Sequence, residues 1–187
     1  MGEHPEPQPF VGVRGFRLTR DLVLASVIMP TFWATPEVGP ATCYARPTTG
    51  EVGKWQAARD PAVPEHDAPY EGCRCGFGAY HPGALGKAVP HVESATVAGV
   101  VVGYGTVLPG TKGWRASHAR LVALILPDLV GGMLPLPTTS HAPADVIREV
   151  ADQYGVPTMR CAQVPRLAPE FGQVLPWLPD DPVRLWR

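Results

Sequence analysis

The sequence predicts an α+β domain built mainly on antiparallel sheet, with an irregular segment and one C-terminal helix. Three observations lead to that fold class. The middle of the chain holds two long aliphatic stretches joined by a Pro-Gly turn, the span Thr31–Pro82 is crowded with proline, and one stretch, near residue 150, combines helical spacing of its apolar residues with start and stop signals.

Taken in order, Met1–Pro9 alternates Pro with Glu and Gln and reads as a disordered tail. Val11–Leu18 and Leu22–Met29 are aliphatic and β-branched, and Pro30 closes the second; both are predicted strands. From Thr31 to Pro69, proline at 36, 40, 47, 61, 64 and 69 forbids long elements. Only a short strand at Ala41–Arg46 and a helical turn at Gly53–Arg59 fit there.

Ser94–Leu108 is the clearest strand. It is rich in Val, and Gly99, Gly103 and Gly105 disfavour a helix while permitting a bulge. After Pro109–Gly113, the apolar stretch Trp114–Leu126 completes a predicted β-hairpin, although Ala119, Val122 and Leu126 within 116–126 also fit a helix. Ser140–Tyr154 is the predicted helix. Pro143 and Asp145 suit its first turn, Val146, Ile147, Val150 and Tyr154 make one stripe, and Gly155 and Pro157 stop it. Thr158–Cys161 returns as a short strand. Residues 10–161 thus form one domain, and the Pro-rich but apolar 162–187 is predicted to strap over it as non-helical chain or to dock on a partner.

Composition narrows the function classes. Among 187 residues there are 23 Pro and 20 Gly, close to but below the share at which composition implies disorder. Apolar residues make up 45% and charged residues 18%, enough for a core. A net charge of −1 supplies no field to hold a nucleic-acid backbone, so nucleic acid is a disfavoured partner and a protein or small molecule is preferred. No apolar run reaches membrane-spanning length and the N-terminus lacks the pattern of a secretory signal, so a cytoplasmic protein with no membrane partner is expected. In a reducing compartment, four cysteines point to metal or catalysis before disulfides.

One constellation carries chemistry. Cys73 and Cys75 form a C-x-C between Gly72 and Gly76; six residues separate His66 from Cys73, and 22 separate Cys43 from His66. Three thiols and an imidazole are a Cys₃His ligand set suited to tetrahedral zinc. Flanking glycines allow the backbone to curl so that both C-x-C sulfurs converge. Structural zinc supplies on the order of 10–16 kcal/mol, against a loop-closure cost of a few kcal/mol that grows only logarithmically. The irregular segment is therefore predicted to be zinc-clamped. The bland alternative makes Cys43 a buried thiol, His66 a loop residue and the C-x-C incidental. A Cys73–Cys75 disulfide fits worst, because so short a ring strains the bond. Cys161 reads as a packed thiol or a substitute for Cys43.

Phe16-Arg-Leu, Trp33, Cys43, His66-Asp-Ala-Pro69 and Cys73-Arg-Cys-Gly-Phe-Gly-Ala-Tyr80, with Val97–Val107, Gly113-Trp-Arg-Ala116 and Tyr154-Gly-Val-Pro157, resemble a family of small proteins from high-GC bacteria and their mobile elements. The family has a Cys…His-x-Ala-Pro…Cys-x-Cys-Gly-x-Tyr-Ala core and no assigned activity. The resemblance spans about residues 14–160 and implies a shared fold and a shared site at Cys43, His66, Cys73 and Cys75. The chain departs from the pattern at Gly78, an insertion, and at His118, where an acidic residue is common.

Other candidates are weaker. Trp114, Arg115 and Tyr80 are proposed to bind a ligand or partner, Arg115 as an anion-binding arginine beside an aromatic, with a salt-bridged hairpin arginine as the alternative. His81 either lines a pocket beside the metal or marks a turn with Pro82; His118 and His141 fit surface histidines. No P-loop, His-Glu-x-x-His, Gly-x-Ser-x-Gly or complete Gly-x-Gly-x-x-Gly is present, and no catalytic residue is assigned. The reading is a zinc-stabilised binding or regulatory module. The alternatives are a small enzyme beside the Cys/His cluster, with open zinc or a Cys nucleophile, and a nucleotide- or RNA-binding barrel similar to the PUA-like group.

Overall fold

A computed structural model of the chain describes residues 8–27, 31–43, 66–73, 75–85, 97–127 and 142–176. Among the described residues eight strands occur in order: β1 (Phe10–Leu18), β2 (Leu24–Ser26), β3 (Phe32–Trp33), β4 (Glu37–Val38), β5 (Phe77–Tyr80), β6 (Val97–Pro109), β7 (Gly113–Leu126) and β8 (Thr158–Arg160). The helix α1 (Ala144–Tyr154) lies between β7 and β8, and the one-turn α2 (Val164–Leu167) follows. This is a sheet-rich α+β domain.

The hairpin β6–β7 is its spine. The two strands pair antiparallel from Ala98↔Ile125 to Pro109↔Trp114, with irregularities between Val100 and Val101 and between Tyr104 and Val107. Residues 116–126, compatible with a helix by periodicity, are strand, because both flanking strands supply ladder partners that a helix there would forfeit. β1 pairs β6 along its length, β7 also pairs β5, and β5 returns to β1 through Val13↔Tyr80. The order β1–β6–β7–β5 therefore closes on itself. β2 and β3 extend the sheet beyond β1, β4 lies against β7, and β8 pairs parallel with β7.

Closure leaves little room inside. A Cβ on Gly103 would stand 2.4 Å from the Trp114 ring, so a larger residue on β6 would displace the indole. One core face gathers Phe16, Leu24, Trp33, Val101, Trp114 and Leu121 with Ile147, Val150 and Tyr154 of α1. Fully burying each such aliphatic or aromatic side chain stabilises by about 1.5–3 kcal/mol. Phe16 and Phe77 meet the Trp33 ring edge-on at 5.0 and 5.9 Å. The Tyr154 hydroxyl ties α1 to the sheet by donating to the Trp33 carbonyl and accepting from the Leu24 amide at 2.9 Å. The opposite face packs Val11, Val13, Val100 and Ile125 against Met159, Val164 and Ala168.

Several boundaries differ from the sequence expectations. Of the strand expected at Leu22–Met29, the described residues 22–27 are strand at Leu24–Ser26, Leu22 taking a positive φ of 58° in a turn, and residues 28–29 lie outside the described residues. Ala41–Cys43 is not strand; its Ala41 amide donates to the Ser117 carbonyl instead. α1 starts at Ala144 behind Pro143 and ends on left-handed Gly155. The strap expected to be non-helical forms helical turns over residues 161–170, where Val164 and Ala168 bury against the sheet. β5 was not expected, since only two of its four residues favour strand. Residues 44–46, 53–59, 94–96, 140–141, His141 and the aromatic end at 177–187 lie outside the described residues. Among the described residues, no helix is long and apolar enough to cross a membrane.

Candidate metal centre

The sheet delivers four ligands to one point. Cys43 lies just after the segment that Ala41 fastens to Ser117 on β7. His66 and Tyr70 stack ring on ring at 4.5 Å, and a turn follows in which the Cys73 amide donates to the Tyr70 carbonyl at 3.1 Å. Cys75 then leads through Gly76 into β5. Gly76 has a φ of +103°, and a Cβ there would lie 2.9 Å from Pro69 and 3.2 Å from the Ala116 carbonyl. Only glycine turns the chain so tightly against β7.

Cys43 Sγ is 3.5 Å from Cys73 Sγ, Cys75 Sγ is 3.4 Å from His66 Nε2, and all four ligand atoms lie within 4.8 Å of one another. A tetrahedron with zinc–sulfur bonds near 2.3 Å has edges of about 3.8 Å. The observed spacings match that polyhedron, while a disulfide needs about 2.05 Å. All four cysteines are free thiols in the structure. Cys75 is buried and the other three ligands are half-buried, and the group contains no carboxylate.

The thiols perturb one another. Burial pushes Cys43 up to about 12, reinforced by the Cys73 thiol beside it and by the charges of Cys73 and Cys75. Burial also pushes Cys75 up, and Cys73 adds to that although a Tyr70 backbone hydrogen bond opposes it. For Cys73, burial is outweighed by hydrogen bonds from the Cys75 backbone, the neighbouring thiols and His66, which together hold it below the usual thiol value. Of the three thiols Cys73 is thus the most readily ionised. A bound cation is what allows all three sulfurs to ionise together.

Arg115 supports the loop from β7. Its Nη1 donates to the carbonyls of Tyr70 (3.1 Å), Cys73 and Cys75 (3.0 Å). The arginine expected to bind an anion or partner thus fastens the loop that carries Cys73 and Cys75, a contact that neither sequence alternative included. The ladder pair Gly78↔Arg115 explains the reach, a signal invisible until β5 is recognised as a strand. Trp114, 1% exposed, and Tyr80, 8% exposed, are core residues and form no partner surface with it. His81 is buried, with Nε2 donating to the Gly110 carbonyl at 2.7 Å. Burial holds it below its ordinary value despite that hydrogen bond. His118 stacks on Tyr104 at 5.3 Å and meets Ser117 Oγ at 3.0 Å. Cys161 packs against the second core face and is not in the four-residue group.

No protein-family model matches this chain, and no curated protein or solved structure does.

Proposed function

We propose that the chain is a binding or regulatory module whose irregular segment is held by one structural zinc ion on Cys43, His66, Cys73 and Cys75. The observation that carries this reading is the convergence of four ligand atoms within 4.8 Å at spacings fit for a tetrahedral ion. Three sulfurs and one imidazole nitrogen favour zinc over harder cations. Four protein ligands leave no open position for a substrate or an activated water, which supports a structural role over a hydrolytic one. On this reading the resemblance to small proteins of high-GC bacteria and their mobile elements extends to a shared metal centre, with a protein or small molecule as partner.

A second reading rests on Cys75 Sγ lying 3.4 Å from His66 Nε2. In a metal-free protein that pair is a thiol beside a base, as nucleophilic catalysis requires. Elemental analysis of the purified chain, with Cys43→Ser and Cys73→Ser variants, separates the two. One zinc per chain, lost together with folded structure in the variants, supports the structural site. A folded, metal-free protein whose cysteines alkylate rapidly supports the thiol enzyme instead.

A further inference from the structure

Arg14 is an unneutralised cation set into the sheet. On β1 it shares a face with Gly12 and Phe16, and its guanidinium lies 5.9 Å from the Phe16 ring centroid and 5.6 Å from that of Trp33. Nη1 donates to the Gly78 carbonyl and Nη2 to Ser26 Oγ at 2.8 Å. A guanidinium has five N–H donors, and that on Nε is buried without a partner among the described residues. Burial pulls its pKa down to about 10 and no carboxylate offsets that, so it stays charged at neutral pH.

Its neighbours have the same imbalance. Among the described residues, five buried side-chain atoms lack a hydrogen-bond partner: Arg14 Nε, Trp33 Nε1, Trp114 Nε1, His81 Nδ1 and Thr111 Oγ1. The first three are N–H donors around one core face, and two of them, on Arg14 and Trp33, belong to side chains in direct contact. The other two belong to the β6–β7 turn region, where His81 bonds Gly110. Donors left over on one side, one of them on a cation, are complementary to a ligand that only accepts. Arg14 is half-buried as a residue, while its Nε and the Trp33 indole N–H are buried.

We propose that Arg14, with the Trp33 indole N–H beside it, binds a small oxyanion, a phosphate or carboxylate group of the module's ligand. The oxyanion neutralises the guanidinium and accepts the hydrogen bonds left unmade by Arg14 Nε and Trp33 Nε1. The aromatic rings of Phe16 and Trp33 hold the guanidinium plane, which favours a forked contact over a simple charge contact. This proposal goes beyond the metal reading and does not depend on it, because the donors belong to β1 and β3 and not to the ligand loop.

The test is a titration of the full-length, as-purified chain followed by ¹H–¹⁵N spectra of its arginine Nε–H and indole N–H groups. Sodium phosphate and sodium acetate are added in separate series, against sodium chloride at matched ionic strength. The expected result is that the Arg14 and Trp33 signals follow one saturable curve with phosphate or acetate and do not respond to chloride. Whichever anion saturates at lower concentration identifies the group recognised. The exposed Arg17 and Arg166 should not follow that curve. Arg14→Gln should weaken binding by about tenfold or more, the loss of a charge-assisted contact. If that variant does not fold, Trp33→Phe keeps the ring, removes the donor and should weaken binding several-fold. Shifts that rise linearly and equally on Arg14, Arg17 and Arg166, or equal saturation in Trp33→Phe and the unmodified chain, would overturn the site.

Discussion

Replacing Arg115 with alanine should weaken zinc binding without removing a single ligand. In the intact chain one guanidinium nitrogen serves the carbonyls of Tyr70, Cys73 and Cys75, so it bridges the turn before the C-x-C and both of its cysteines. A hydrogen bond from a charged donor contributes about 1.5–3 kcal/mol. Arg115 is half-buried, and water replaces part of that contribution once the side chain is gone, which leaves about 1–2 kcal/mol. At about 1.4 kcal/mol per factor of ten, the loss is roughly 5- to 30-fold in affinity. Mutations of groups that orient metal ligands typically cost about 10–100-fold, in the same range. A second contribution has the same sign: three thiolates and one divalent ion leave a net negative charge that the guanidinium offsets. The assay is competition with a chromophoric chelator at fixed pH and salt. Arg115→Lys should fall between the alanine variant and the unmodified chain, because it keeps the charge but places it on a side chain of different length and shape. An Arg115→Ala affinity within twofold of the unmodified chain, or an equal loss in exposed Arg166→Ala, would refute the assignment.

Three further outcomes follow from the same geometry. Tyr154→Phe should lower stability by about 1–3 kcal/mol and Tm by several degrees, since it leaves the Trp33 carbonyl and the Leu24 amide buried and unpaired; an unchanged thermal midpoint would refute the anchoring role. Zinc affinity should climb with pH through neutrality, with a slope of about two to three decades per pH unit, because Cys43 and Cys75 have raised pKa values and must shed protons while Cys73, the most acidic, sheds its own first; proton release measured by calorimetry in two buffers checks this, and a flat profile refutes it. Burial keeps folded His81 below its ordinary value of 6.5, so above 6.5 both folded and unfolded forms are neutral, and below it the unfolded chain binds the extra proton. Stability should therefore fall as pH drops from 6.5 toward the folded pKa, and this loss should be absent from a folded His81→Phe variant in chemical denaturation curves.

The ligand set was legible in the sequence because sulfur and imidazole at loop positions have few other uses, and because the proline content of Thr31–Pro82 rules out a regular framework to hold that span. The β6–β7 hairpin and α1 were legible for a related reason: long aliphatic runs and a helical stripe carry their periodicity locally. The contacts of Arg115 with the Cys73–Cys75 loop were not legible, because they depend on β5, a four-residue strand with two small members and no pattern of its own. Trp114 and Tyr80 were misplaced for the same reason, since only closure of β1–β6–β7–β5 turns the hairpin mouth into core.

By itself the sequence determined the inventory: a sheet-forming middle, one amphipathic helix, and three thiols and a histidine in a segment too proline-rich to hold itself. Tertiary structure alone decided the rest. It closed the sheet through the single pair Val13↔Tyr80, brought Cys43 within 3.5 Å of Cys73 across 30 residues, and left Arg14 half-buried beside unpaired donors, with no acid to neutralise it among the described residues. The physical reason is that local patterns encode which face of an element is apolar. The partner of a charge, or the point where distant loops meet, depends on register between strands far apart in sequence.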